Sequence, residues 1–429
     1  MISSAPSPAD FSSFKEVSIT QNNREEKILL VANTGWYLYN FRLPLAKALR
    51  KRGATVVLVS PWDSYVEKLQ GEGFWWIELD LVRRSTNPFL ELYCIFRLLL
   101  IYLVEKPDIV HHFTIKCVLY GTFAAKMSGI KSIVNAITGL GYVFINKGLK
   151  ARVLRLLIQP LYFLVLNAKR SQVIVQNEDD ADLLVRRKLV AAKKLTLIRS
   201  SGVDLRRFNP NLSSTLAPQA DPSQHNQPIT VLLASRIVGD KGVYEYVEAA
   251  RQLIGKGHSV NFKLAGALYS GNPTAISKVT LSAWVETGLI EWLGHVDNIE
   301  AVIAASDIVV LPSHGGEGVP KILIEAAAMA KPLVTTDVPG CRDVVKSGMN
   351  GLLVPAKAAD LLADAIEALI ENPELRHQMG IAGRKKVAEE FDVKMVVNRT
   401  LAVYEKAGLA IAASDRPTAE LRYAVGARV

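Results

Sequence analysis

Paired cysteines, long apolar runs and nucleotide-binding glycine fingerprints are all missing from this 429-residue chain. Its three cysteines, Cys94, Cys117 and Cys341, lie far apart with no Cys-x-x-Cys spacing. That excludes a disulfide framework and a zinc cluster and points to a reducing compartment. No stretch reaches the roughly 18–20 apolar residues that span a bilayer. The nearest, Phe89–Val104 and Leu156–Ala168, are interrupted by Glu91 and Arg97 and by Pro160, and read as core or interfacial segments. Residues 1–24 have no apolar core of the kind a secretory signal needs and read as a disordered leader. The first predicted strand is followed by Asn33-Thr34-Gly35-Trp36 rather than G-x-G-x-x-G, which disfavours a bound dinucleotide. The cations are dispersed and no reading motif occurs, so no nucleic-acid partner is expected.

What is present is a large supply of core. Apolar residues make up 49% of the chain and charged residues 21%, enough for two or three globular domains at this length. Lys and Arg outnumber Asp and Glu by 51 to 41, a net charge of +10 that suits phosphates or an anionic lipid surface. Short apolar runs such as Lys27–Ala32, Thr55–Ser60 and Ser132–Ile137 alternate with helical patterns such as Leu43–Arg52 and Phe89–Glu105. That alternation predicts parallel βα units. A Pro-, Ser- and Gln-rich stretch interrupts it, and the alternation restarts at Thr230–Ala234, Asn261–Ala265 and Ile308–Leu311. The expected organisation is a first domain over 25–207, a linker over 208–228, a second domain over 229–395 and a terminal helix and tail over 396–429. The fold class is α/β, with two Rossmann-like doubly wound domains facing a central cleft. Open sheets of this kind bind ligands at the carboxyl ends of their strands, so the chemistry is expected in the loops there.

Two such loops stand out. In the segment Leu311–Met329, a strand runs into His314-Gly315-Gly316-Glu317-Gly318-Val319, and Pro320 opens a helix. The glycines admit a ligand to the backbone, and the helix start offers N–H groups to an anion. Glu317 precedes the helix and Glu325 lies inside it, eight residues and about two turns further along, too far to share a proton, so they meet different parts of one extended ligand. The second loop carries Arg236, Gly239, Lys241 and Gly242 after the opening strand of the second domain, the make-up of a diphosphate clamp. Gly35 is the candidate on the first domain's side. Asp180-Ala181-Asp182 sits in a helical pattern and reads as a solvated first turn, so no metal is expected.

Glu317-x7-Glu325, the Arg236–Lys241 loop, Ser201-Gly202-Val203-Asp204 with Phe208, and the Gly35 loop together resemble glycosyltransferase family 4 over about residues 26–405. The resemblance implies the GT-B fold and a retaining, metal-independent enzyme that uses a nucleotide-diphosphate sugar, a UDP-sugar being favoured. It further implies that Arg236 and Lys241 hold the diphosphate, that Glu317 contacts the sugar hydroxyls, and that Glu325 contacts the ribose. His111-His112-Phe113-Thr114-Ile115-Lys116 and Asn135-Ala136-Ile137-Thr138-Gly139-Leu140-Gly141-Tyr142-Val143-Phe144 resemble a subgroup that extends polyprenyl-diphosphate-linked sugars with galactose- or N-acetylgalactosamine-type donors. Many family members carry a histidine after the strand that ends near Ile137. Here Thr138 or Asn135 occupies that region, and His111 and His112 join them as acceptor-side candidates.

The expected protein therefore moves a hexose or N-acetylhexosamine to a glycan acceptor in bacterial surface polysaccharide or glycoconjugate synthesis. It is expected in the cytoplasm, peripheral on the inner face of the plasma membrane, where the basic-apolar segment Gly148–Arg170 is a candidate interfacial helix. Two alternatives make different predictions: a nucleotide-sugar epimerase of similar architecture, which needs no acceptor, and a non-catalytic nucleotide-sugar sensor.

Overall fold

A computed structural model of the chain describes residues 25–83, 85, 87–139, 159–212, 227–269, 271–316 and 318–409. The leader, most of the linker, the tail beyond 409, Glu317 and the stretch 140–158 lie outside them.

The apolar runs form strands. The first half holds β1 (Lys27–Val31), β2 (Thr55–Ser60), β3 (Trp75–Glu78), β4 (Ile109–Phe113), β5 (Ser132–Ile137), β6 (Ser171–Val175) and β7 (Leu195–Leu197). The second holds β8 (Ile229–Ala234), β9 (Val260–Ala265), β10 (Glu291–Gly294), β11 (Ile308–Leu311), β12 (Leu333–Thr336) and β13 (Gly351–Val354). The first sheet runs β3-β2-β1-β4-β5-β6-β7 and the second β10-β9-β8-β11-β12-β13. All the pairings are parallel. Such sheets need helices on both faces, which explains why their central strands read as unbroken apolar runs instead of alternating.

The described residues include, in chain order, the helices α1 (Leu43–Lys51), α2 (Tyr65–Gly71), α3 (Pro88–Glu105), α4 (Ile115–Met127), α5 (Glu178–Arg186), α6 (Val243–Gly255), α7 (Lys278–Glu286), α8 (Ile299–Ala304), α9 (Lys321–Ala328), α10 (Cys341–Val344), α11 (Ala359–Glu371), α12 (Pro373–Glu390) and α13 (Val393–Lys406). Their starts are marked by the residues that cap free N–H groups: Asn87 before α3, Asn177 before α5, Ser277 before α7 and Asp392 before α13. Of the expected long helix over Leu149–Ala168, the described part is helical over 159–166. The three cysteines are free thiols and fully buried. Among the described residues no helix is long and apolar enough to cross a membrane.

The chain crosses between the halves twice, side by side. The Val203 N–H donates to Phe391 O at 2.9 Å, and the Val393 N–H donates to Val203 O at 3.0 Å. Gly202 is required there: its φ is +80°, and a Cβ would stand 2.6 Å from the Val393 Cα. After the second crossing α13 packs on the first sheet, with Leu401, Val403 and Tyr404 in the core beside Ile28 and Phe113. The terminal helix is thus an integral layer of the first half, held also by the Ser132 hydroxyl, which donates to Ala407 O at 2.8 Å.

Each sheet has one place where the strand order reverses, between β1 and β4 in the first and between β8 and β11 in the second. Loops leave in opposite directions at such a point and open a crevice. The Gly35 loop follows β1, the Arg236 loop follows β8 and the His314 loop follows β11.

Candidate functional site

The two sheets meet through these carboxyl-terminal loops. The loops after β5 and β6 touch the loop after β11, because a Cβ on Gly318 would stand 2.1 Å from Gln176 Oε1 and 2.6 Å from Thr138 O. The segment after β1 touches the start of α9, where the Lys321 ammonium donates to Asn40 O and lies 5.1 Å from the centre of the Phe41 ring. The segment after β2 touches the loop after β10: Tyr65 Oη is 3.4 Å from His295 Nε2, and Lys68 pairs with Asp297 at 3.3 Å. The loop after β7 touches α10 through Arg199 and Asp343, 3.7 Å apart. Four pairs of loops therefore align the mouths of both crevices.

Within the second half, the two motif loops are built against each other. The His314 N–H donates to Asp240 O at 2.9 Å. Gly242, at φ +75°, leaves no room for a side chain, since a Cβ would sit 2.0 Å from Pro312 O. Gly266 backs the same loop, where a Cβ would fall 1.7 Å from Ser235 O. Arg236 is exposed with its guanidinium 5.1 Å from the centre of the Tyr269 ring, a platform that keeps a cation extended toward solvent. Lys241 closes the short 3-10 turn Gly239–Lys241 ahead of α6. Gly315 and Gly316 both have positive φ, +114° and +79°, so the loop before Glu317 follows a path open to glycine. His314 is fixed by Glu245 of α6, whose Oε1 is 3.0 Å from its Nε2. Burial alone would raise the Glu245 carboxyl, but His314 and a backbone donor outweigh it and hold it below the usual range. Val319 and Pro320 are buried where the loop turns into α9.

Glu325 is 7% exposed on α9. Burial pushes its carboxyl above the usual value against the pull of Lys321, 3.4 Å away, and of Arg207. Arg207 is itself gripped by Glu300 through two hydrogen bonds, 2.8 and 2.9 Å.

The first half departs from expectation. A Cβ on Gly35 would meet Asp63 Oδ1 at 2.6 Å, so this glycine is needed for the packing of α2 as much as for any ligand. Asp63 also accepts the Trp36 N–H at 2.9 Å. His111 and His112 are fully buried and do not line an acceptor surface. Strand pleating sends them to opposite faces of the sheet. His111 Nδ1 is 2.8 Å from the Tyr404 hydroxyl of α13, whereas His112 bridges the Tyr102 hydroxyl of α3 at 2.8 Å and Asn135 Oδ1 at 2.9 Å. Asn135 is buried as well and also accepts from Thr122, which leaves Thr138 as the one member of the acceptor-side set at the contact between the halves. Burial lowers both imidazoles, His112 to about 4, so they stay neutral. Polar residues inside a strand carried no signal separating a sheet-internal network from a ligand site.

Gln176, Asn40, Lys321, Glu245 and Tyr269 were not singled out from the sequence. Lys321 alone had a signal, its place one residue after the motif proline. Asp180 and Asp182 do not converge as ligands. Asp180 accepts the Asn177 side-chain N–H at 3.1 Å and Asp182 pairs with Arg186 at 3.0 Å.

Two family models divide the chain. "Glycosyl transferase 4-like" matches residues 27–177, and "Glycosyl transferases group 1" matches residues 218–386. The chain belongs to the family 4 glycosyltransferases. It is 30% identical to the N,N'-diacetylbacillosaminyl-diphospho-undecaprenol alpha-1,3-N-acetylgalactosaminyltransferase of Campylobacter jejuni, over 89% of this chain and 98% of that protein. It is 26% identical to the capsular polysaccharide biosynthesis glycosyltransferase CapM of Staphylococcus aureus, over 83% and 91%. Anabaena HepE, solved with UDP and glucose, superposes with a TM-score of 0.71 at 17% identity, over 89% of this chain and all of that one. The expected GT-B fold and glycosyltransferase class are those of these relatives.

Proposed function

We propose that the chain is a retaining glycosyltransferase that moves a hexose or N-acetylhexosamine from a UDP-sugar to a polyprenyl-diphosphate-linked glycan. Its work is at the inner face of the plasma membrane, in the synthesis of a bacterial surface polysaccharide or glycoconjugate. The Campylobacter relative, named for an undecaprenol-diphosphate-linked acceptor, and the UDP held by HepE support the two substrate classes. The observation that carries the reading is the contact between the Arg236 and His314 loops at one crevice, faced by the loops of the other sheet.

In this reading the diphosphate lies against Arg236, Lys241 and the backbone N–H groups of Gly315, Gly316 and Gly318, while Glu317 takes the sugar hydroxyls and Glu325 the ribose. As the bond from C1 to the β-phosphate oxygen breaks, negative charge grows on the phosphate. Arg236, Lys241 and the loop N–H groups would stabilise that charge, each such contact contributing on the order of 3 kcal/mol to the transition state. The acceptor hydroxyl oxygen bonds to C1 on the face the phosphate leaves, and its proton passes to the departing phosphate. The α-configuration is thereby kept with no metal in the step.

The test is release of UDP from UDP-sugars with and without a polyprenyl-diphosphate-linked acceptor, with NMR of the product's anomeric proton. Acceptor-dependent release giving an α-linkage is expected. Conversion of donor alone to its epimer is the epimerase's result, and tight donor binding with no release is the sensor's. An equatorial product from an α-donor, or loss of activity in chelator, contradicts retention or metal independence.

A further inference from the structure

Among the described residues α3 is the most exposed apolar element. Phe89, 80% exposed, Leu92, Tyr93, Phe96, Leu103 and Val104, 76% exposed, form a stripe along its outer side. Their spacing follows the helical repeat from the first turn to the last, about 27 Å of surface at 1.5 Å per residue. The opposite side, with Cys94, Leu98 and Tyr102, is spent on the core. α4, packed against α3, exposes Phe123 and Met127 as well, which share a cavity of about 200 Å³ with Leu164 of the next helical segment. Scattered exposed apolar residues need no explanation, but an apolar stripe along one helix, with a second exposed apolar cluster on the helix packed against it, marks an interaction site.

The charges around the face select its occupant. Both acids of α3 are neutralised internally, Glu91 by Lys116 at 2.6 Å and Glu105 by Lys27 at 3.1 Å. Arg83 and Lys106 flank the two ends of α3, Lys126 lines the cavity, and Lys169 and Arg170 follow the third segment. All five are exposed, and none of them pairs with a carboxylate among the described residues. A second copy of the chain, docked by a twofold axis, would set these cations against themselves. An anionic bilayer offers the apolar face its interior and the cations its phosphates, and aromatic rings settle at that boundary.

The orientation relative to the crevice follows from Lys116. It stands in the first turn of α4, directly after β4, and its ammonium donates to Val82 O at 3.1 Å and Ser85 O at 2.7 Å besides pairing with Glu91. The first turn of α3 is therefore fastened beside the carboxyl end of β4, at the switch point of the first sheet.

We infer that the outer face of α3, with the exposed apolar cluster of α4, seats the enzyme on an anionic lipid bilayer, with the Phe89 end next to the crevice. This rests on the lipid-linked acceptor proposed above and names the surface that meets its membrane. A polyprenyl chain can then stay in the bilayer while its sugar end reaches the loops.

The test is flotation of the full chain with vesicles of phosphatidylglycerol and phosphatidylethanolamine, against vesicles of phosphatidylcholine. Wild type is expected to float with the anionic vesicles. The triple variant Phe89→Ser, Leu92→Ser, Phe96→Ser is expected to lose at least tenfold in partitioning, and Lys126→Glu with Lys169→Glu several-fold, with unchanged melting temperatures because all five sites are exposed. Wild type that stays unbound, or a triple variant that floats as wild type does, overturns the inference. So does a wild-type dimer that the triple variant splits into monomers, which would make the face a contact between copies. Transfer to a short-chain, water-soluble isoprenoid diphosphate glycan separates the two claims. No transfer with intact flotation defeats the proposed function alone; intact transfer without flotation defeats the membrane surface alone.

Discussion

The tip of β4 and the tip of β11 occupy equivalent places, each beside the strand-order reversal of its sheet, yet they use their residues in opposite ways. β11 is Ile-Val-Val-Leu, wholly apolar, and its polar and flexible residues come only after the strand, from Ser313 to Gly318. β4 carries His111 and His112 inside the strand, both fully buried, with His111 Nδ1 beside Tyr404, His112 between Tyr102 and Asn135, and His111 Nε2 without a hydrogen-bond partner. On β4 the titratable groups before the strand's end are tied into the packing; past the end of β11, His314 is held by Glu245 beside glycines whose backbone is open to a ligand.

That contrast sets an order of expected effects. Gly242→Val attacks the second half at its tightest point, where backbone blocks any Cβ at positive φ. It should lower stability by roughly 4 kcal/mol or prevent folding, read by thermal and urea unfolding. Arg236→Ala, on an exposed side chain, should instead leave the melting temperature unchanged and lower kcat/KM for the donor about 100-fold, equivalent to about 2.7 kcal/mol.

His112→Phe should do the reverse, costing roughly 2–3 kcal/mol by leaving Tyr102 and Asn135 short of a partner, with the donor KM unaltered. A raised KM with unchanged stability would reverse the assignment. The same variant has a pH signature. His112 is held near 4 in the fold against about 6.5 unfolded, so between those values the unfolded chain binds the extra proton. Its neutral form therefore contributes nothing adverse above pH 6.5, and wild-type stability falls by up to roughly 3 kcal/mol on acidification from 6.5 to 4. His112→Phe should lose that share of the slope and close its gap to wild type at low pH, in urea unfolding at stepped pH. The smallest effect belongs to Asp182→Asn on α5, which removes an exposed pair with Arg186 worth about 0.3–0.5 kcal/mol. Donor turnover should not change.

The strands were legible because a parallel sheet covered on both faces writes each strand as an apolar block between turn residues, as at β1, β2 and β5. The adjacency of the Arg236 and His314 loops followed from strand ends and glycine placement, and the hydrogen bond between His314 and Asp240 and the glycine closest approach at Gly242 show it. The return of α13 to the first sheet was not legible, since nothing local in Val393–Lys406 says which core its apolar side will join. Nor was the role of Gly35, because its need comes from Asp63, 28 residues on in the chain. The apolar stripe of α3 was visible as composition, but only the fold separates its core side from its exposed side.

The central claim is that the opening loop of the second half and the loop after β11 together hold one diphosphate. Isothermal titration of UDP into wild type and into Arg236→Ala tests it most directly. The account predicts one site on wild type and a dissociation constant at least tenfold larger in the variant, at equal melting temperature. Equal affinity in the two proteins, or no UDP binding by wild type, contradicts it.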